Sequence, residues 1–193
     1  MEIYLHLVFF GNKTITTGEG GMVVSNNQSF MRRAEYLKSQ SVSNDKEYWH
    51  DEVGFNYRMT NICGAIGLAQ LEQANEIIEK KVQIAHWYKS GLNKLPVTFQ
   101  SDNPICFNSF WMVSILTENK EIRDSIREFL KLNGIETRPL FHPAHTMPVF
   151  KNDQTYPISE FLSDSGMNLP SYPGLTKDDV DYICSMITRT FNS

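Results

Sequence analysis

Phe9-Phe10-Gly11-Asn12-Lys13-Thr14-Ile15-Thr16-Thr17-Gly18-Glu19-Gly20-Gly21 is the stretch on which the reading of this chain turns. Ahead of it, residues 3–10 are apolar and rich in β-branched and aromatic side chains, the composition of a buried strand. Behind it, residues 22–25 read as a second short strand. Gly18, Gly20 and Gly21 permit backbone angles closed to other residues, so the connection is a tight turn that other groups can approach closely. A lysine at the end of a buried strand is shielded from water, and a neutral amine there can attack an aldehyde to form a Schiff base. A lysine beside glycines is also an ordinary solvated side chain before a hairpin, and the residues alone leave both readings open. A phosphate-binding P-loop is excluded, because Lys13 precedes the glycines instead of following them.

Working outward, Asn27 or Ser29 can cap a helix that runs to about Lys38. Residues 39–56 are polar and irregular, with Trp49 read as a packing residue and His50 given no role. Apolar residues at helical spacing, among them Ile62, Ala65, Ile66, Ala69, Ile77, Ile78, Ile84 and Trp87, predict one long helix from Thr60 or Asn61 to about Leu92. Small residues Gly64, Ala65, Gly67 and Ala69 on it permit close approach of another helix, inside the subunit or across a dimer. Strands are expected at 97–100, 110–116 and 135–138, and helices at 121–132 and briefly at 158–162. A proline- and histidine-bearing loop covers 139–155, and Thr176 caps a last helix whose first turn holds Asp178 and Asp179. The fold class is α/β, a small α/β unit hung on a long helix.

The chain has 193 residues, 41% hydrophobic and 21% charged, with a net charge of −4. That composition is globular, and without a basic run it gives no footprint for nucleic acid. Cys63, Cys106 and Cys184 show neither metal-ligand spacing nor a disulfide framework, so no metal is expected and a cytoplasmic location is. The apolar run at 3–10 is too short to span a bilayer, and Glu2 with no basic start argues against a signal peptide.

The lysine stretch resembles the cofactor-lysine signature of the DegT/DnrJ/StrS sugar-aminotransferase family. Further segments agree in order: Gly54-Phe55-Asn56-Tyr57-Arg58-Met59-Thr60-Asn61, Ala65-Ile66-Gly67-Leu68-Ala69-Gln70-Leu71, Thr137-Arg138-Pro139-Leu140-Phe141-His142-Pro143 with His145, and Leu169-Pro170-Ser171-Tyr172-Pro173-Gly174-Leu175-Thr176. The resemblance implies the carboxy-terminal part of a fold-type-I aminotransferase. Residues 1–60 would be the end of the large cofactor domain, 61–93 a long connecting helix and 94–193 the small α/β domain. It implies pyridoxal 5′-phosphate carried on Lys13, a nucleotide-linked 4-keto-6-deoxyhexose as substrate, glutamate as amino donor, and a homodimer with no nucleic-acid or membrane partner. Asn56 would contact the cofactor phosphate of the partner subunit, and Arg58, Arg138 and His145 would contact substrate, with His142 a weaker candidate. Without the resemblance, Asn56 reads as a loop residue bonding its own backbone, the arginines as surface ion pairs and the histidines as solvated.

The amino end departs from the family pattern. Where the family reads F-G-D-I-S-T-F-S-F-F before the lysine segment, this chain reads M-E-I-Y-L-H-L-V-F-F, so Val8 stands where a phosphate-contacting serine is expected. The codons TTG GAG ATA TAT CTA CAT TTA GTT TTT TTT would encode this end. Shifted by one base and with one thymine removed, they read as the family pattern. The expectation is therefore a single-thymine insertion, with residues 1–8 out of frame, His6 without a role and an apolar face left exposed. The gene's DNA decides it: a start without a thymine run would sink the idea.

Overall fold

The computed structural model describes residues 3–101 and 103–192, so Met1 and Glu2 of the anomalous amino end lie outside the described residues. The chain divides into two compact units, 1–75 and 76–193.

The first unit opens with an antiparallel hairpin, β1 (Tyr4–Val8) paired with β2 (Gly21–Ser25) from Tyr4↔Ser25 to Val8↔Gly21. The expected strand is there, but it is not buried: all five residues of β1 are exposed. Its apolar composition supplies the extended backbone, while a two-stranded ribbon by itself buries little of either face. Helix α1 (Gln28–Lys38) follows, with the Asn27 side chain accepting from Phe30 N at its start. The Tyr4 ring meets Phe30 edge-on at 4.9 Å, which ties α1 to the hairpin.

Past α1 the chain doubles back. Gln40 and Ser41 take left-handed backbone angles, φ 66° and 52°, and Ser39 bridges Asn56. Trp49 does not pack as expected. It is 49% exposed, with the Lys46 ammonium 3.5 Å from its ring centroid, because no layer closes over this excursion.

The predicted long helix is two helices. Helix α2 (Asn61–Glu72) is capped by Thr60, and α3 (Ala74–Gly91) follows after Gln73, which leaves the helical ladder. Apolar positions recur at helical spacing before and after the largely polar stretch 72–76, so the periodicity alone does not register the break. α2 has no buried residue, and Ile62, Leu68 and Leu71 are each at least 60% exposed.

The second unit holds the core. Its sheet has the order β3–β4–β6–β5, all pairs antiparallel, from β3 (Thr98–Phe99), β4 (Val113–Leu116), β5 (Arg138–Pro139) and β6 (Gly166–Leu169). Helices α4 (Lys120–Leu132), α5 (Pro157–Ser165) and α6 (Lys177–Phe191) complete it. Ile84 and Tyr88 of α3, Ile126 and Leu130 of α4, and Val180 and Ile187 of α6 close on Val113, Ile115, Met167 and Leu169. Each such side chain contributes roughly 1.5–3 kcal/mol on burial. Thr176 forms a capping box with Asp179, confirming the expected start of α6. Gly134 ends α4 at φ 75°.

Strand β6 has no counterpart in the sequence reading, although it is buried at every position and lies between β4 and β5. Gly-Met-Asn-Leu is short and carries no β-branched residue, so its neighbours make it a strand. Arg123 crosses to its start. Its Nη1 donates to the Ser163 and Gly166 carbonyls at 3.2 and 3.3 Å, joining α4 to the end of α5 and the first residue of β6.

Candidate functional site

Lys13 sits in the connection between β1 and β2 and is partly buried. The connection is held by its own backbone: Phe9 N donates to Gly20 O, Thr17 N to Phe9 O and Lys13 N to Phe10 O, each at 2.9 Å. Thr17 is the latch. It is 3% exposed, and its hydroxyl donates to Glu19 O at 2.6 Å. Gly18 and Gly20 adopt φ 82° and 139°, so the glycines perform the turn expected of them.

Two glycines bring neighbouring segments onto this loop. A Cβ at Gly20 would lie 2.8 Å from Thr17 Oγ1 and 2.9 Å from Met59 Cε. A Cβ at Gly67 of α2 would lie 2.8 Å from Thr17 Cγ2, whereas at Gly64 it would meet nothing within 4 Å. Close approach at Gly67 is therefore made inside the unit, to the lysine loop.

Asn56 and Arg58 are exposed on an extended segment fastened to the end of α1. Phe55 N donates to Leu37 O at 2.7 Å and Tyr57 N to Lys38 O at 3.0 Å. Gly54 makes this possible, because a Cβ there would fall 2.4 Å from the Gln40 carbonyl carbon and the Ser41 nitrogen. Asn56 pairs through its backbone with Ser39.

Arg138 and His145 belong to the second unit. Arg138 is exposed, and its Nη2 lies 2.6 Å from Glu136 Oε1, a solvated surface pair. His142 is exposed. His145 is placed more specifically, in a 3₁₀ turn (Ala144–Thr146) with its side chain only 11% exposed. Its Nε2 is 2.8 Å from Glu160 Oε1, and its ring is 4.8 Å from that of Tyr156. The same Glu160 oxygen accepts from Tyr156 N at 2.9 Å. That backbone N–H first, and His145 second, hold the Glu160 carboxyl below the usual carboxylate range. Together with Pro143, Phe150, Asn152 and Ser159, His145 and Tyr156 line an open groove.

Lys13, Asn56 and Arg58 thus share one unit, while Arg138 and His145 share the other. Sequence reasoning did not single out Thr17, Tyr156 or Glu160. The threonine is one of several in a polar run, and the His145–Glu160 pairing spans fifteen positions of loop and helix with no periodic signal. Among the described residues, no group of three or more His, Cys, Asp or Glu could hold a metal ion. No helix among them is long and apolar enough to cross a membrane.

The lysine loop can be tested against an aldehyde cofactor. It supplies a primary amine on a turn braced by four backbone and hydroxyl hydrogen bonds, with space left by Gly18, where a Cβ would meet nothing within 4 Å. These residues fit the covalent anchor of such a group. Val8 offers a hydrocarbon side chain and no donor toward a phosphate.

Residues 5–188 match the model of the DegT/DnrJ/EryC1/StrS aminotransferase family, and the chain belongs to that family. It is 50% identical over 185 residues to a GDP-perosamine synthase of Escherichia coli O157:H7, covering 95% of this chain and 50% of the relative. It is 48% identical over 189 residues to a GDP-perosamine synthase of Vibrio cholerae, covering 95% of this chain and 52% of that one. Its fold matches the PLP form of the sugar aminotransferase Spr1654 of Streptococcus pneumoniae with a TM-score of 0.88 at 20% identity, over 98% of this chain and 52% of that one. The chain spans about half the length of the curated relatives it matches.

Proposed function

We propose that this chain is the carboxy-terminal part of a pyridoxal-phosphate-dependent aminotransferase that converts GDP-4-keto-6-deoxymannose to GDP-perosamine, with glutamate as amino donor, in O-antigen biosynthesis. The observation that carries the reading is the 50% identity to a GDP-perosamine synthase across 95% of the chain. Residues 1–60 would complete the cofactor domain, 61–93 connect, and 94–193 form the small domain. In the intact enzyme the assembly would be a homodimer.

In this reading Lys13 holds the cofactor through its amine and, once released, carries a proton to and from the reacting carbon. When bound, pyridoxal phosphate supplies an electron sink for the bond being broken. Asn56, presented on the segment fastened to α1, offers its amide to the cofactor phosphate of the partner subunit. Arg58 and Arg138 each offer a planar guanidinium to paired oxygens of a diphosphate or a carboxylate, and Arg138 would exchange Glu136 for that ligand. His145 contacts the nucleotide sugar from the rim of its groove. Activity of this chain by itself is expected to be weak or absent, since Val8 cannot supply the expected phosphate contact.

An absorbance titration with pyridoxal phosphate tests the anchor. A new visible band is expected for the wild-type chain and not for Lys13→Ala. Equal spectra would overturn the role given to Lys13.

A second reading is a non-enzymatic subunit that joins a complete homologue. The observation favouring it is the exposed apolar surface of α2 and the hairpin. Gel filtration with and without a full-length GDP-perosamine synthase separates the two readings. A shared peak lacking pyridoxal-phosphate absorbance on this chain supports the subunit role.

A further inference from the structure

The fold holds His145 by a hydrogen-bonded side chain in a groove. A carboxylate can only accept, so the Nε2···Oε1 contact of 2.8 Å means that Nε2 carries the proton and donates. The carboxylate is not free to swing. Its Oε1 also accepts from Tyr156 N at 2.9 Å, and Glu160 N in turn bonds Tyr156 O at 3.0 Å, closing a reciprocal pair at the first turn of α5. Tyr156 covers the imidazole from the side, at 4.8 Å between centroids. The ring is therefore fixed at one nitrogen and against one face. Its other nitrogen, Nδ1, has no hydrogen-bond partner among the described residues and is not one of their buried, unpartnered atoms, so it meets solvent.

We propose that Glu160 is a positioning residue: by holding His145 through Nε2, it presents Nδ1, the accepting nitrogen of that tautomer, to a hydroxyl or N–H of the nucleotide. The inference rests on the proposed role of His145 as a substrate contact and deepens it. Metal-ligating and catalytic histidines are oriented by the same logic, in which the partner of one ring nitrogen sets what the other can do. Glu160 touches no substrate in this scheme and acts only through the imidazole. Phe150, Asn152 and Ser159 shape the rest of the groove and bring no charge to it.

A double-mutant cycle on GDP affinity tests the inference, because residues acting as one unit give non-additive losses. Glu160→Ala is chosen because it removes the acceptor of His145 Nε2, which the amide oxygen of a glutamine would still supply. Matched circular dichroism spectra verify that α5 is retained without the bond from Tyr156 N. His145→Gln is expected to weaken GDP binding about fivefold, the worth of one neutral hydrogen bond. Glu160→Ala is expected to weaken it severalfold, and the double variant to bind within about twofold of His145→Gln. Independent, multiplying losses would show that Glu160 acts on stability or on ligand directly, and would overturn the positioning role. A loss in His145→Gln with none in Glu160→Ala would overturn it too. Unchanged affinity in His145→Gln, or no GDP binding to the wild-type chain at millimolar ligand, would instead overturn the reading of His145 as a substrate contact.

Discussion

At the scale of single residues, the chain separates groups poised for chemistry from groups shut away from it. Cys184 is 5% exposed, and burial first, with Asp181 second, pushes its thiol up to about 12. Cys106 is exposed. Alkylation at neutral pH is expected to modify Cys106 within minutes and leave Cys184 untouched until the core opens. Mass spectrometry of timed samples checks this, and early labelling of Cys184 would mean that the core is looser than described. Tyr88 is fully buried, and its hydroxyl donates to Pro170 O at 2.9 Å. Tyr88→Phe leaves that part-buried carbonyl without its donor and is expected to cost about 1 kcal/mol, read from urea unfolding. Lys81, two turns earlier on α3, donates to the next carbonyl, Ser171 O, at 2.7 Å, and burial lowers its ammonium's pKa. Lys13 was legible from the glycines that follow it. The partner of His145 was not, because a hydrogen bond between a loop and a helix leaves no mark on either segment's composition.

At the scale of elements, local rules set most starts and stops, and close approach set the rest. Asn27, Thr60, Asn119 and Thr176 each cap a helix with a side-chain acceptor. Asn27 and Thr176 were readable as caps in the sequence, and Thr60 as a possible helix start. The doubling back at 39–56 was not readable, because it depends on Gly54 lying against the backbone of Gln40 and Ser41. Gly54→Ala is expected to destabilise the first unit by about 2 kcal/mol, since the clash is with main chain that cannot rotate away. Amide exchange at Phe55 and Tyr57, which donate to the end of α1, should rise with it. The break at Gln73 and strand β6 belong to the same class. The apolar periodicity resumes at Ile77 beyond the largely polar stretch 72–76, and Gly166–Leu169 is a strand only through its pairing with β4 and β5.

At the scale of the whole molecule, charge and exposed apolar surface make separate predictions. The carboxyls of Glu160, Asp179 and Asp124 are held below their ordinary values, by Tyr156 N–H, by the Thr176 hydroxyl and by Lys120 respectively. Their folded values lie below the unfolded ones, so their stabilisation is complete above the carboxylate range and is lost as pH falls through the folded values. Asp179 is exposed and Glu160 and Asp124 are partly so, and a shallow loss of stability is expected below about pH 4, followed by circular dichroism. A separate effect comes from Leu5 and Val24, opposite one another in the hairpin and 48% and 42% exposed. Gel filtration is expected to show self-association of the 22.2 kDa chain. Leu5→Lys with Val24→Glu keeps a favourable cross-strand pair and should return the chain to its monomer volume. A wild-type chain that elutes as a monomer at all loadings would refute that surface role.

The sequence by itself determined the lysine turn, the helix caps, the α/β class and the family. These depend on residues within a few positions of one another or on the order of motifs. Only the tertiary structure decided which apolar segments are covered. Residues 3–10 and α2 have the composition of interior elements, yet β1 and α2 contain no buried residue, while the unremarkable Gly166–Leu169 is buried throughout. Burial is a property of what lies across a gap, and composition reports only one side of it. The same reason separates Lys13 from His145. A turn carries its own geometry, whereas an oriented imidazole needs a carboxylate that the fold brings from fifteen residues away.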